Sequence, residues 1–441
     1  MRPSLPHTPI DSAKRYFFII AAAAFVLSSI VGLGAALKTA APDYTPPWIA
    51  FSIARPLHVF LAIAAVLTGL QGLVLSLARP FRIEWPARLQ IGAMAAFICI
   101  GTIAIMLGAG SGREYFSWPA FLSALLVMSM GVMVWRQFAG ATALERRSPE
   151  GFWLIGLGGL LVTVSLIESE LWRLDAVASD YVRNLTIQWH AIDGFFAGVN
   201  IALYGCAVYL MTDKPKPLRR PTLFLVAGFG LLFTFGHHHY VSPQPTFLKS
   251  LAFIASMIAV ISFWRHLATY KVMHGDDYGA RHFLLLWRSV EFWTLVSIAT
   301  GVFFAIPQFN LLVHGTYLIV AHAMGSMIGV NLLIIAAGAL QKAHRPAVLI
   351  VPRILLGVRL VNLALVLIWI DLGAAGVVKG VMRVSGGYRD YQPIVDFLIY
   401  GFPLAGAILV AGISLLAGEI IRTNVIAPGY RRVASDAAET I

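Results

Sequence analysis

Twelve long apolar stretches run through this chain, and their length excludes a soluble fold. A helix that crosses a bilayer needs about 20 mostly apolar residues. Stretches of that kind occupy residues 15–37, 49–78, 88–109, 115–138, 151–169, 185–211, 221–240, 246–268, 284–306, 314–340, 353–378 and 394–421. The chain is 59% hydrophobic and 12% charged, and the stretches lack the polar–apolar alternation of a membrane β-barrel. The sequence therefore predicts an all-α polytopic membrane protein with twelve transmembrane helices.

Positive charge is unevenly divided between the two sides of these stretches. Of the 33 Lys and Arg residues, 23 lie on the side that holds the N-terminus, 8 lie on the opposite side and 2 lie within spans. Because cytoplasmic loops carry an excess of Lys and Arg, we expect both termini in the cytoplasm. The tails at 1–14 and 422–441 then flank a membrane domain at 15–421. The net charge of +12 follows from these loops and does not indicate a nucleic-acid partner.

Histidines are the most informative polar residues of the spans. With the predicted orientation and a helical rise of about 1.5 Å per residue, five of them fall within roughly the outer third of the bilayer: His58, His190, His237, His238 and His322. A polar side chain inside a membrane is costly and marks functional sites, and neutral imidazole is the commonest metal ligand. One such histidine is equally explained by a hydrogen bond to a carbonyl group. Five at one depth, from four spans, predict a shared metal centre.

Short motifs surround these histidines. They read Arg55-Pro-Leu-His58, His190-Ala-Ile-Asp193-Gly194-Phe195-Phe196, Gly236-His237-His238, Asn310-x3-His314-Gly315-Thr316-x5-His322 and Gly376-Val-Val-Lys379-Gly380-Val-Met-Arg383. In this order, and over nearly the whole chain, they resemble the catalytic subunit of the heme–copper oxidase superfamily, which includes respiratory oxygen reductases and bacterial nitric oxide reductases. The resemblance implies a bundle like that of heme–copper oxidase subunit I, in a bacterial inner (cytoplasmic) membrane.

The resemblance also implies a set of ligands. The proposed ligands are His58 for a low-spin heme b, His322 for a high-spin heme b, and His190, His237 and His238 for a non-heme iron or copper. Gly236 permits a backbone bend that would let the adjacent histidine pair reach one metal.

Arg55 and Arg383 are expected at the outer side, where they would pair with heme propionates. The chain has two cysteines, Cys99 and Cys206, both in apolar spans, and no Cys-x-x-Cys-His site for a c-type heme. A covalently bound heme must therefore belong to a partner. We expect a cytochrome c-type electron-donor subunit or a soluble donor protein.

The tenth span departs from the superfamily pattern at one ligand position. The family motif is His-x-His, and here it reads His322-Ala323-Met324. Methionine binds heme iron in other cytochromes and raises the reduction potential. Met324 is therefore a candidate second ligand of the low-spin heme, and core packing is its other interpretation.

Two further departures concern the chemistry. Oxygen reductases cross-link a tyrosine to a metal ligand, and its position in the C-type oxidases falls on Thr294; Tyr240 adjoins the histidine run but on the wrong side. The span-eight glutamate of the familiar nitric oxide reductases falls on Ala259. Their span-six glutamate falls near Asp193, which shares a helix face with His190. Asp193 is a candidate oxygen ligand or proton donor, and a hydrogen bond to a neighbouring helix is the alternative. Iron(II) usually takes a carboxylate whereas three imidazoles suit copper, so the role of Asp193 bears on the metal.

The missing tyrosine favours nitric oxide over oxygen as substrate. Cleavage of O–O needs four electrons at once, one of them from the tyrosine, whereas coupling two NO molecules needs two. The chain is therefore predicted to be the catalytic subunit of a membrane nitric oxide reductase that forms N2O in denitrifying electron transport. The alternatives are a C-type-like terminal oxygen reductase and a non-catalytic, gas-binding or electron-transfer membrane cytochrome.

Overall fold

The computed structural model describes residues 9–46, 50–77, 85–139, 149–211, 236, 240, 245–271, 281–343 and 349–425. These residues form helices joined by turns, and no strand occurs among them. The long helices are α1 (Pro9–Ala40), α2 (Phe51–Leu77), α3 (Trp85–Met106), α4 (Ala120–Ala139), α5 (Pro149–Glu168), α6 (Tyr181–Met211), α7 (Thr246–Lys271), α8 (Arg281–Ala305), α9 (Tyr317–Gln341), α10 (Val351–Ser385) and α11 (Phe402–Val425). Short helices at Pro42–Tyr44, Leu171–Arg173, Asp175–Ala178, Pro307–Val313 and Tyr388–Ile399 lie in the connections.

Ten of these long helices are apolar enough to cross a membrane, and they coincide with ten of the predicted spans. The predicted span 246–268 lies in α7, where the apolar part is Thr246–Ile258. The predicted span 221–240 lies outside the described residues except for Gly236 and Tyr240. The all-α, multi-pass architecture is confirmed, and the count of twelve stays a prediction.

Helix α9 is made of three segments. An α-helix at Tyr317–Met324 is followed by a π-helix at Gly325–Leu332 and an α-helix at Leu333–Gln341. The predicted span 314–340 begins earlier, but residues 314–316 form a turn in which Gly315 has φ 71°. Because glycine adopts this left-handed conformation without a steric penalty, the turn separates α9 from the short helix that precedes it.

Five connections lie at one end of the bundle, which we call the histidine end: the described part of 41–50 (41–46 and 50), 107–119, 169–180, 306–316 and 386–401. Helices α2, α6 and α9 begin there and carry their histidines within their first three turns. Side chains cross between the connections: Arg113 reaches Asn184, and Arg383 reaches the carbonyl group of His314. The three helices thus place His58, His190 and His322 near the same end, as the depth argument predicted.

Consecutive helices pack closely in the pairs α1–α2 and α5–α6. In the second pair, a Cβ atom on Gly198 would lie 2.8 Å from the carbonyl oxygen of Gly158. Such close backbone contact through small residues is a common mode of helix association in membranes. Helix α2 lies at the centre of the bundle, because most of its side chains from Phe60 to Leu75 are buried.

Candidate heme and metal centre

His58 is held by the preceding helix, α1. Its Nδ1 atom lies 2.8 Å from the carbonyl oxygen of Ser28, and the Ser28 hydroxyl donates to the His58 carbonyl oxygen over 3.0 Å. A Cβ atom on Gly32 would lie 2.5 Å from the same Nδ1 atom. Only glycine leaves room at that position for the ring as it stands.

His190 is held by the preceding helix, α5. Both carboxylate oxygens of Glu168, the last residue of α5, lie 2.7 Å from its Nδ1 atom. The side chain of Glu168 is 19% exposed and that of His190 is 31% exposed, so the pair is largely withdrawn from the surface. Sequence reasoning did not connect Glu168 with His190, whereas in the structure its carboxylate contacts this predicted metal ligand directly.

His322 is held by the preceding helix, α8. Its Nδ1 atom lies 2.7 Å from the hydroxyl oxygen of Thr300. That hydroxyl also lies 2.8 Å from the carbonyl oxygen of Val296, and while it donates there it can accept from the ring. The ring of Phe304, one turn further along α8, packs edge-on against the His322 ring with centroids 5.1 Å apart.

The acceptors at His58 and His190 fix the same tautomer in both histidines. A carbonyl oxygen and a carboxylate can only accept, so Nδ1 carries a proton in both rings, and the Thr300 hydroxyl suits the same arrangement at His322. The lone pair is then on Nε2. Histidines that bind metals commonly donate their other N–H group to such acceptors, which fixes the ring orientation. Sequence reasoning missed Ser28 and Thr300. The feature that could have revealed them is their position on the preceding helix, 22 to 30 residues before the histidine.

The predicted ligands His237 and His238 lie outside the described residues, but the residues on either side are anchored. A Cβ atom on Gly236 would lie 2.5 Å from Cβ of Ala252 in α7. The buried Tyr240 donates its hydroxyl to the carbonyl oxygen of Ala305 over 2.9 Å. The described residues that flank the pair thus contact other helices, and Ala305, which accepts from Tyr240, adjoins Phe304, which packs on His322.

Met324 is the last residue of the first segment of α9, just before the π-helix. Its side chain is half-buried and packs against the main core. Its neighbour Gly325 faces the indole of Trp369, whose Nε1 atom has no acceptor among the described residues and would lie 3.0 Å from a Cβ atom there. Ligation by Met324 stays a prediction.

Arg55 and Arg383, the predicted propionate partners, both lie exposed at the histidine end. Arg55 forms an ion pair with Glu114 at 2.7 Å. Arg383 donates to the carbonyl oxygen of His314 over 2.8 Å. The motif around Arg383 also has a packing role, because a Cβ atom on Gly380 would lie close to the carbonyl oxygen of Leu312. Pairing with propionates stays a prediction for both arginines.

The connection 107–119 covers part of the histidine end. Arg113 donates to Gln188 over 3.0 Å and to Asn184 over 2.5 Å, both on the first turns of α6 that lead to His190. Tyr115 has a left-handed backbone, with φ 65°, which is uncommon for a residue other than glycine. Burial raises the pKa of Tyr115 to about 12, and its ring packs against Phe196.

Two positions that bear on the chemistry are also described. Thr294, at the place of the family tyrosine, donates its hydroxyl to the carbonyl oxygen of Val290 over 2.7 Å. Its neighbour Trp293 is buried and donates to Asn362 over 2.8 Å. Asp193 is half-buried one turn from His190 and is electrostatically coupled to it. Neither a ligand role nor a proton-donor role of Asp193 is decided by these contacts.

Comparison with known proteins identifies the family. The family described as cytochrome c and quinol oxidase polypeptide I matches residues 12–402. The chain belongs to this family and is a heme–copper oxidase subunit I. No curated protein sequence matched this subunit I. Among solved structures, a heme-copper terminal oxidase dimer determined by cryo-EM matches with a TM-score of 0.72 and 14% identity, over 96% of this chain and 85% of that chain. At this identity the match shows a common fold.

Subunits of this family are membrane oxidoreductases that bind hemes and a further metal. The residues of this subunit I fit such groups, because three histidines at the same end of the bundle have Nδ1 engaged by a partner, and Nε2 is then the nitrogen that would face a heme or a metal. Gly32 leaves space beside the His58 ring that any larger residue would fill. Among the described residues no three His, Cys, Asp or Glu side chains come together, and two of the three predicted non-heme metal ligands lie outside them.

Proposed function

We propose that this subunit I is the catalytic subunit of a membrane nitric oxide reductase. The reaction is 2 NO + 2 electrons + 2 protons → N2O + H2O. His322 would hold a high-spin heme b, and His190, His237 and His238 a non-heme metal. His58 and Met324 would hold a low-spin heme b. When bound, the high-spin heme iron and the adjacent metal supply the two electrons and polarise the N–O groups.

The observation that carries the donor set is the shared Nδ1 arrangement of His58, His190 and His322. Three partners of different chemistry contact the same ring nitrogen at one end of the bundle. Histidines that were each hydrogen-bonded for unrelated reasons would not need to share the same engaged nitrogen. The anchoring of Tyr240 beside Phe304 supports placing the adjacent histidine pair on the His322 side.

The preference for NO rests on Thr294. Oxygen reductases of the superfamily need a cross-linked tyrosine, which in the C-type oxidases stands at this place, and Thr294 instead donates its hydroxyl to its own helix. A threonine hydroxyl cannot supply the electron that a tyrosine supplies. Two electrons from two metals suffice for NO coupling, so the loss of the tyrosine does not disable this reaction.

Asp193 would serve the proton side of the reaction or bind the metal. It lies one turn from His190 on the same helix face and is half-buried. If its carboxylate binds, the non-heme metal is iron; if it only passes protons, copper is equally suited. Ligation by Met324 would raise the potential of the low-spin heme relative to bis-histidine ligation.

The proposal also includes the orientation of the subunit in the membrane and the groups that would meet the site. The Lys and Arg distribution orients both termini to the cytoplasm, with 1–14 and 422–441 as tails of a membrane domain at 15–421 in a bacterial inner membrane. The histidine end then faces outward. Arg55 and Arg383 at that end would meet heme propionates, and a cytochrome c-type subunit or soluble donor would deliver electrons there.

A second candidate is oxygen reduction, which one observation favours. Tyr240 is buried, directly follows the run of histidines at 237–239 and donates its hydroxyl to the carbonyl oxygen of Ala305. If that phenol took the place of the missing tyrosine, the subunit could reduce O2. The hydroxyl is held by a backbone carbonyl group on α8, and this contact makes NO the better-supported substrate.

The deciding experiment measures both gases on one preparation. The purified subunit, with a chemical reductant and a redox mediator, is given NO or O2, and NO consumption, N2O formation and O2 consumption are followed. One N2O formed per two NO consumed, with little O2 uptake, supports the proposal. O2 consumption that Tyr240→Phe abolishes would establish the second candidate. Bound heme without turnover of either gas would indicate a non-catalytic cytochrome.

A further inference from the structure

We infer that Glu168 is the positioning residue of the non-heme metal site, acting through His190. The inference rests on the proposed role of His190 as a metal ligand. It assigns Glu168 neither to the metal itself nor to a proton path. The site would thus contain a carboxylate–histidine–metal unit built from the end of α5 and the start of α6.

The geometry of the pair carries this assignment. Both oxygens of Glu168 lie 2.7 Å from Nδ1 of His190, so the carboxylate straddles the ring N–H group. A carboxylate engaged in this way points its charge at the far side of the imidazole from Nε2. It therefore fixes which nitrogen faces the metal and how the ring is turned, and it leaves the inner coordination sphere to other groups.

The three histidines differ in the charge of their hydrogen-bond partner, and this difference indicates how Glu168 acts on His190. His58 donates to a backbone carbonyl group and His322 to a hydroxyl, both neutral, whereas His190 donates to a carboxylate. A charged acceptor makes a stronger hydrogen bond than a neutral one and raises the basicity of the ligand. The two heme ligands thus have neutral support, and the described ligand of the non-heme metal has anionic support.

The neighbouring Glu170 makes the assignment specific and provides a matched control. Glu170 accepts from Ser123 over 2.6 Å and from Arg173 over 2.8 Å, away from His190. It has the same side chain, at the same end of the bundle, two residues further along the chain. A general effect of removing a carboxylate from this region would appear in both residues, whereas an effect on the metal would appear only at Glu168.

The test measures how firmly the non-heme metal is held, with the heme content as an internal reference. The holoenzyme and its variants Glu168→Gln, Glu168→Ala, Glu170→Gln and His190→Ala are dialysed against EDTA for increasing times. Non-heme metal per subunit is taken as copper, zinc and total iron less heme iron, with heme determined as the pyridine hemochrome. This readout does not depend on turnover of either gas.

We expect Glu168→Ala to lose the metal about 10- to 100-fold faster than wild type, in line with other outer-shell partners of metal-bound histidines. Glu168→Gln should fall between them, because its amide oxygen still accepts from Nδ1 but carries no charge. Glu170→Gln should match wild type, and heme content should be unchanged in all three. His190→Ala should retain no non-heme metal.

The outcomes separate the two proposals. If His190→Ala keeps the metal, His190 is not a ligand and both proposals are overturned. If His190→Ala loses it while Glu168→Ala holds it as firmly as Glu170→Gln does, the metal site stands and the role of Glu168 is overturned. If Glu168→Ala also loses heme, the fold of that variant is disturbed. The rate of metal loss from Glu168→Gln is then compared with that from Glu170→Gln, and equal rates overturn the role of Glu168.

Discussion

Replacing Gly32 with alanine should disconnect the low-spin heme from its histidine. The new Cβ atom would lie 2.5 Å from Nδ1 and 2.7 Å from Cε1 of His58, where ordinary contact begins at 3.4 Å. The ring must therefore retreat by about 0.9 Å, since the clash is with the ring itself and α1 cannot yield locally. A retreat of that size would stretch the 2.8 Å bond to Ser28 beyond the usual hydrogen-bond range.

Three terms contribute to the change in the free energy of unfolding caused by Gly32→Ala. Overpacking costs about 1–3 kcal/mol, and the lost hydrogen bond costs about 1 kcal/mol. Alanine in place of glycine inside a helix returns about 1 kcal/mol. The net destabilisation is about 1–3 kcal/mol, small enough for the protein to fold and large enough to move a heme ligand.

The assay is the reduced-minus-oxidised heme spectrum together with the heme content per subunit. We expect Gly32→Ala to lose or shift the low-spin component and to retain the high-spin component. Gly92→Ala is the control, because no described heavy atom lies within 4 Å of its new Cβ atom, and its spectrum should match wild type. An unchanged low-spin spectrum in Gly32→Ala would refute ligation by His58 in the orientation described.

Three further substitutions test the remaining contacts. Met324→His should lower the midpoint potential of the low-spin heme within the roughly 0.8 V that axial ligands span, as measured by redox titration; an unaltered potential would leave Met324 as a packing residue. Thr300→Val removes the acceptor of His322 and should destabilise by about 1–3 kcal/mol, with weaker retention of the high-spin heme. Thr294→Val, which removes a similar bond to the same helix, should retain that heme, and equal behaviour of the two would contradict the assignment. Tyr240→Phe should lower the melting temperature by the equivalent of about 1 kcal/mol and leave NO turnover intact; loss of turnover would make the phenol part of the chemistry.

Hydropathy predicts most of this fold, because in a membrane the apolar length of a helix is fixed by the bilayer. The predicted span 49–78 corresponds to α2 at Phe51–Leu77. Irregular backbone is where the prediction loses detail. The predicted span 394–421 is divided in the structure between Tyr388–Ile399 and Phe402–Val425, and no hydropathy average detects a break inside an apolar run.

The candidate site was predictable only in part. Histidines in spans draw attention because they are costly there, and motif order added the family, which the comparison confirmed. Their hydrogen-bond partners, Ser28 and Thr300, could not be predicted. Serine and threonine are common in membrane helices, and their side chains bond equally well to the backbone of their own helix. The contact of Glu168 with His190 could not be predicted either, because it depends on the rotation of α5 against α6, which packing decides.

The three partner–histidine bonds have a consequence for biogenesis. Each one joins a helix to the helix that follows it in the chain: α1 to α2, α5 to α6 and α8 to α9. Each of these three histidine rings is therefore oriented inside a single hairpin, by contacts of low sequence separation, which form early. A hairpin of this kind can enter the bilayer with its imidazole already oriented, before the helices of the bundle pack together and before any cofactor binds. Assembly of the centre is then a matter of bringing together preset hairpins.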